Sequence, residues 1–217
     1  MKSLFQQKPR SLDANVVSPP NAAAFYPNAH AHLLDELRCL NRILFAHMLR
    51  LRQVNFCDNI KDLRGFFTAD EEIDALFAAG VFEEESKNNG HDGCDIKQLL
   101  QQAQRLRREI DERLQATSAH PILLPLVQLA NCFHLSAFEQ QALIVCLAPQ
   151  IDARYEKIYA YLQNDLTKKC ASIDLMLSLL CERVAERVKS LKYFLHAAPV
   201  RRFRMLENGE NDSGYSA

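Results

Sequence analysis

The sequence predicts an all-α chain, in which a long antiparallel helical hairpin is followed by a compact helical module. Three observations carry that prediction. Apolar residues recur at helical spacing over two long stretches. Capping-box patterns stand at Thr68–Glu71 and at Ser136–Glu139. Gly numbers only six and Pro eight in 217 residues, which is too few for turn-rich β structure.

Residues 1–27 hold Pro9, Pro19, Pro20 and Pro27 and show no period. They are predicted to form a loosely ordered leader, pinned where Phe25 and Tyr26 find a groove. From residue 28 the pattern changes, with Asn28 placed as an N-cap. Leu33, Leu37, Leu40, Leu44, His47, Leu51 and Val54 are spaced 4, 3, 4, 3, 4 and 3, a heptad seam whose one polar member is His47. Leu34, Ile43, Phe45 and Met48 widen that stripe. A shorter helix is predicted at about 69–79, stopped by Gly80, and a polar loop at 83–93. A second long helix at about 95–116 repeats the spacing through Ile96, Leu99, Ala103, Leu106, Ile110 and Leu114. Each seam needs a cover, and pairing within the chain is entropically cheaper than pairing between chains. The segment 28–119 is therefore predicted to be one hairpin.

His120-Pro121 marks the next boundary, because the residue before Pro is pushed out of the helical region. Over 120–206 the expected helices run at about 122–133, from Ser136 to near Pro149, at 152–164 and at 172–196. In 199–206, Val200, Phe203, Met205 and Leu206 suggest one short strand or wing. Residues 207–217 are polar and read as a disordered tail.

Lys plus Arg is 26 against 27 for Asp plus Glu, which disfavours a globally basic nucleic-acid binder. The balance is uneven, however. Residues 120–206 carry 11 basic and 7 acidic side chains, a net +4. No apolar signal segment opens the chain, and the uncharged stretch Leu114–Phe138 is interrupted by Pro121, Pro125 and several polar residues. Seven widely spaced Cys without a CxxC point to a reducing, cytoplasmic setting with no disulfide framework.

No Gly is followed by Lys and no GxGxxG occurs, so the P-loop manner of holding ATP is excluded. His91 with Cys94, and Cys132 with His134, fall short of a four-ligand zinc set. No GxSxG stands out, and Asp70-Glu71-Glu72 fits a helix start. The chain is thus expected to be no enzyme and to hold no cofactor or metal. Arg105, Arg107 and Arg108 lie among acids on a mixed helix face. Arg201, Arg202 and Arg204, with Phe203 between them, are the candidates for an anionic partner. Phe45, Met48 and Leu49 lie off the main seam and are the candidates for a protein-binding patch. The rival expectation is that Ile73, Leu76 and Phe77 cover it.

One segment carries a family pattern. At 120–180 the chain has LS-x-FE through Leu135, Ser136, Phe138 and Glu139, then CLAP at Cys146, Leu147, Ala148 and Pro149. D-x-RY follows at Asp152, Arg154 and Tyr155, then YAYLQND from Tyr159 to Asp165. This resembles the N-terminal, winged-helix-like region of AAA+ ATPases encoded with phage-tail-like contractile injection systems. The later APVRRFRML is similar to that family's link towards its motor. The resemblance implies that 120–206 is a winged-helix-like module of a non-catalytic adaptor or assembly region. It implies protein partners, namely its own ATPase domain, an injection-particle component or a cargo; the paired seams leave a homo-oligomer as the rival to the hairpin, and no membrane is expected. ATP and Mg²⁺ are implied only for the motor, whose Walker motifs this chain lacks. The polar ending favours a fragment over a stand-alone homologue. Two alternatives stand beside this: a winged-helix DNA-binding module, motivated by the +4 balance, and a stand-alone coiled-coil oligomerisation protein.

Overall fold

The computed structural model describes residues 25–57, 70–78 and 95–206. Among them the secondary structure is helical, and no strand is formed. The capping box at Thr68, the Gly80 stop, the loop at 83–93, His91 with Cys94 and the tail from 207 lie outside the described residues.

Helix α1 runs Ala29–Cys57 and α3 runs Ile96–Thr117. Asn28 opens α1 by accepting the Ala31 N–H at 2.8 Å, and Asp95 opens α3 by accepting the Lys97 N–H. The two helices pair antiparallel. Tyr26 meets Thr117, Glu36 meets Arg107, and Cys39 meets Ala103, so one number rises as the other falls. The second seam's Leu99, Ala103 and Ile110 are buried by this pairing. Tyr26 pins the chain entering α1. Its N–H donates to Thr117 Oγ1 at 2.8 Å, its hydroxyl donates to Asp35, and the Arg113 guanidinium lies 4.0 Å over its ring.

Helix α2, Asp70–Ala78, lies against α1 and against α6 (Arg154–Leu162). Then follow α4 (Pro125–Phe133), α5 (Ala137–Ile151) and α6 (Arg154–Leu162). The box at Ser136 is present in full. Ser136 Oγ accepts the Glu139 N–H, and Glu139 accepts the Ser136 N–H at 2.9 Å. Tyr155, Ile158 and Tyr159 of α6 are completely buried, as the stripe on that helix requires.

The main core joins both halves of the chain. Leu37, Leu40, Leu44 and Met48 of α1 pack in one cluster with Ile144 and Val145 of α5, Tyr155 and Ile158 of α6, and Leu175 and Met176 of α7 (Ile173–Leu180). Of the α1 seam, Leu37, Leu40 and Leu44 are buried inside the molecule.

Two expectations need correction. The stretch 172–196 is not one helix but α7 (Ile173–Leu180), α8 (Val184–Ser190) and a 3₁₀ turn, Leu191–Phe194. The segment 199–206 is not a strand or wing. Pro199 opens a short helix, α9 (Pro199–Arg202), because its fixed φ suits a first helical position. Val200 then anchors α9 in a small second core with Ala130 and Leu135.

Candidate interaction surface

Ser172 opens α7 by accepting the Leu175 N–H, and Leu175, Met176, Leu177 and Leu179 are buried. Three residues, Cys181 to Arg183, separate α7 from α8. Cys181 and Arg183 are extended, with φ of −125° and −113°. Glu186 stabilises the turn, because its carboxylate accepts the N–H groups of Glu182 and Arg183 at 3.2 and 3.3 Å. This short turn between two helices has the proportions of a helix-turn-helix, with α8 in the place of the second helix.

Helix α8 has no buried residue. Val184, Val188, Leu191 and Leu195 are 76%, 63%, 46% and 60% exposed and follow one another at spacings of 4, 3 and 4. The first three therefore share one side of α8 and the start of the 3₁₀ turn, whereas Leu195 follows that turn in extended backbone. Other exposed large apolar residues, such as Leu123, Ile151 and Leu166, lie on separate elements. The row is held from behind. Phe138 of α5 stacks on Tyr193 at 5.0 Å and meets Phe194 edge-on.

The residues singled out as a protein-binding patch lie elsewhere. Phe45 and Met48 are buried and Leu49 packs against the same core, so that patch is interior. The reason is α2, where Ile73 is fully buried and the Phe77 ring sits 5.0 Å from that of Phe45. Of the three arginines of the last segment, Arg202 and Arg204 are exposed and Arg201 is half-buried. Arg201 donates to the Leu206 carbonyl at 3.1 Å, Arg202 lies over the Phe203 ring, and Arg204 takes a left-handed φ of 53° in the turn closing α9.

Arg107 is also not part of a solvated face. It grips buried Glu36 with two hydrogen bonds, at 2.9 and 2.7 Å, and His32 stands 3.4 Å from the same carboxylate. Burial pushes the Glu36 carboxyl up. The nearby His32 ring and the Arg107 guanidinium more than offset this and hold it below the ordinary carboxylate range. The three line a cavity of about 240 Å³ between α1, α3, α4 and α5, with Leu129, Gln140 and Leu143. No Ser, Cys or Thr lines it beside a base. Arg154 pairs with Asp152 rather than with Asp165, which instead caps the turn at Thr167. Among the described residues no three His, Cys, Asp or Glu gather for a metal ion, and Cys39, Cys132, Cys146, Cys170 and Cys181 are free. No described helix is long and apolar enough to cross a membrane.

A family model described as winged helix domain, variant, matches residues 17–217. The chain belongs to the winged helix domain, variant, family. Among the described residues this winged helix domain is all-α and carries no strand wing. Comparison with curated proteins and with solved structures found no match. The exposed row of this winged helix domain escaped sequence reasoning because 172–196 contains no Gly and its one helical stripe reads as core. The spacing of Val184, Val188 and Leu191 was the available signal.

Proposed function

We propose that the chain is a non-catalytic protein-interaction module, the N-terminal adaptor or assembly region of an AAA+ ATPase serving a contractile-injection-type particle. Its partners would be the ATPase domain, a particle component or a cargo. The observation that carries the interaction reading is the exposed apolar face of Val184, Val188 and Leu191 on α8 and the start of the 3₁₀ turn. A surface helix ordinarily turns its apolar stripe inward, and a contiguous exposed one marks a contact site. The adaptor reading is supported by the motifs from Leu135 to Asp165, which are similar to those of that ATPase family, whereas membership of the winged helix domain, variant, family supports the broader reading of an interaction module.

The test is co-expression of the full chain with the AAA+ motor and particle proteins of the same locus. The parent chain is expected to co-purify with one of them. The variant Val184→Asp/Val188→Asp is expected to lose that complex while melting at the parent temperature. A variant that keeps the complex would remove the α8 row from the reading.

A second reading, DNA binding, is favoured by the helix-turn-helix proportions of α7 and α8 and by the +4 balance of 120–206. It is the weaker one, because α8 offers Val184 and Val188 where base-reading side chains would stand, and Glu182 and Glu186 oppose phosphates. Binding to duplex DNA that weakens steeply with salt would restore it.

A further inference from the structure

We infer that the cavity between α1, α3, α4 and α5 binds a small primary ammonium ion with an apolar body, of arylethylamine size. The site is separate from the exposed face of α8 and goes beyond the interaction reading. Its two sides differ in chemistry. Leu126 and Leu129 of α4 and Leu143 and Ile144 of α5 make an apolar wall. On the hairpin side stand His32 and Glu36 of α1 with Arg107 and Asp111 of α3.

The pairing of α1 with α3 sets how these four stand. Tyr26 meets Thr117 and Glu36 meets Arg107, so each step along α1 is matched by a step back along α3. His32 lies one helical turn before Glu36, and Asp111 lies one turn after Arg107, which places His32 level with Asp111. Two of the groups are held by their neighbours. Arg107 grips Glu36 with two hydrogen bonds, and the His32 ring packs 5.0 Å from the Tyr26 ring. His32 is only 3% exposed, yet its Nε2 has no hydrogen-bond partner among the described residues. Glu36 Oε1 stands 3.4 Å from it without bonding to it. A buried polar atom in that state is costly until a partner supplies the missing bond.

The charges select the head group. Arg107 is matched by Glu36, so Asp111 leaves the lining with one negative charge in excess. A primary ammonium has three N–H donors and no acceptor. This side of the cavity offers it three acceptors: the Glu36 carboxylate, the Asp111 carboxylate, and His32 Nε2 with the ring proton on Nδ1. A carboxylate ligand would meet two like charges instead, and an alcohol would donate to only one of the three. The volume sets the body. A cavity of about 150 Å³ takes benzene. The cavity here, at about 240 Å³, has room for a ring and a two-carbon arm.

The experiment titrates the full chain with 2-phenylethylamine, 2-phenylethanol and 3-phenylpropionate, followed by calorimetry and by shifts in the amide NMR spectrum. The amine is expected to bind at least about tenfold tighter than the alcohol, and the propionate more weakly than either. Asp111 is exposed, so Asp111→Asn should fold like the parent. It should weaken the amine about tenfold and leave the alcohol unchanged. Leu129→Trp fills the cavity and should abolish binding of both. If that variant does not fold, the amide shifts locate the site, and those induced by the amine should fall on α1, α3, α4 and α5 around the cavity. An amine that does not bind at low millimolar concentration would overturn the assignment. So would an alcohol that binds as well as the amine, a propionate that binds better, parental amine affinity in Asp111→Asn, or shifts confined to other elements. Val184 and Val188 do not line the cavity, so the co-expression test and this one succeed or fail separately.

Discussion

The Tyr155 hydroxyl donates a 2.7 Å hydrogen bond to Asn41 Oδ1, and it does so in the core, where Tyr155 is completely buried and Asn41 nearly so. This bond joins α1 to α6 across the boundary at His120-Pro121, so the hairpin and the following module share polar as well as apolar contacts.

Tyr155→Phe keeps the ring and removes only the donor. Asn41 Oδ1 is then left buried without that bond, which costs about 1–3 kcal/mol. Urea denaturation should show the midpoint lowered with an unchanged slope, because the same surface unfolds. Asn41→Leu in the Tyr155→Phe background should recover part of the loss. A midpoint shift near zero would mean that the bond contributes nothing to the union of the two segments.

The contact between Phe45 and Phe77 fixes α2 on the core. Phe45→Ala should destabilise by about 3–5 kcal/mol, the range for truncating a buried Phe. A double-mutant cycle with Phe77→Ala should return a coupling of about 0.5–1.5 kcal/mol for the ring pair. Stability unaffected by Phe45→Ala would return this region to the surface and revive it as a docking patch.

The features legible in the sequence were local ones. Asn28 and Ser136 act as caps because their side chains reach N–H groups two or three residues away. The α1 and α3 seams were legible because period alone decides which face is apolar. The cover over Phe45 was not, since α2 reaches it from residues beyond α1, and Ile73, Leu76 and Phe77 fit either outcome on paper. Arg107 was misjudged for the same reason, because the carboxylate it grips belongs to another helix. The break after Leu180 has no Gly or Pro to announce it and depends on Glu186 turning back to the chain. At 199–206 the signal was present and misweighed: Pro199 favours a helix start more strongly than Val200 and Phe203 favour a strand.

Glu36 links the fold to acid. Its carboxyl is held below the ordinary range in the native state, so the native state keeps it ionised where the unfolded chain takes up a proton. The contribution is full above the unfolded value of about 4.3 and is lost as pH falls through the lower native value. Glu36→Gln should be less stable at pH 7 by about 2 kcal/mol, below the ~3–5 kcal/mol range for a fully buried broken pair because Arg107 keeps partial exposure. Its stability should also fall less steeply than the parent's below about pH 4.3. Parallel acid limbs for the two proteins would show that another carboxylate carries the linkage.

His47 gives the second pH dependence, with a window of its own. It does not sit between α1 and α3 as the heptad suggests. Its Nε2 stands 3.4 Å from Ser178 Oγ of α7. Burial pushes its pKa below the ordinary value, Arg50 and Arg187 push it further, and Asp174 opposes them. The folded protein therefore holds a neutral imidazole at a pH where the unfolded chain binds a proton. Stability is full above the unfolded value of about 6.5 and declines as pH falls from there towards the depressed native value. Leu at this position cannot titrate. At pH 8, His47→Leu exchanges one long hydrogen bond for apolar contact, a change expected within about 0.5 kcal/mol. At pH 5 the variant should be the more stable of the two, since only the parent is weakened there. Urea midpoints at pH 8, 6.5 and 5 supply the comparison. A difference that stays constant across the three would show that His47 is not the group responsible, and a variant weaker at pH 5 than at pH 8 relative to the parent would mean that the imidazolium makes a favourable contact within the fold.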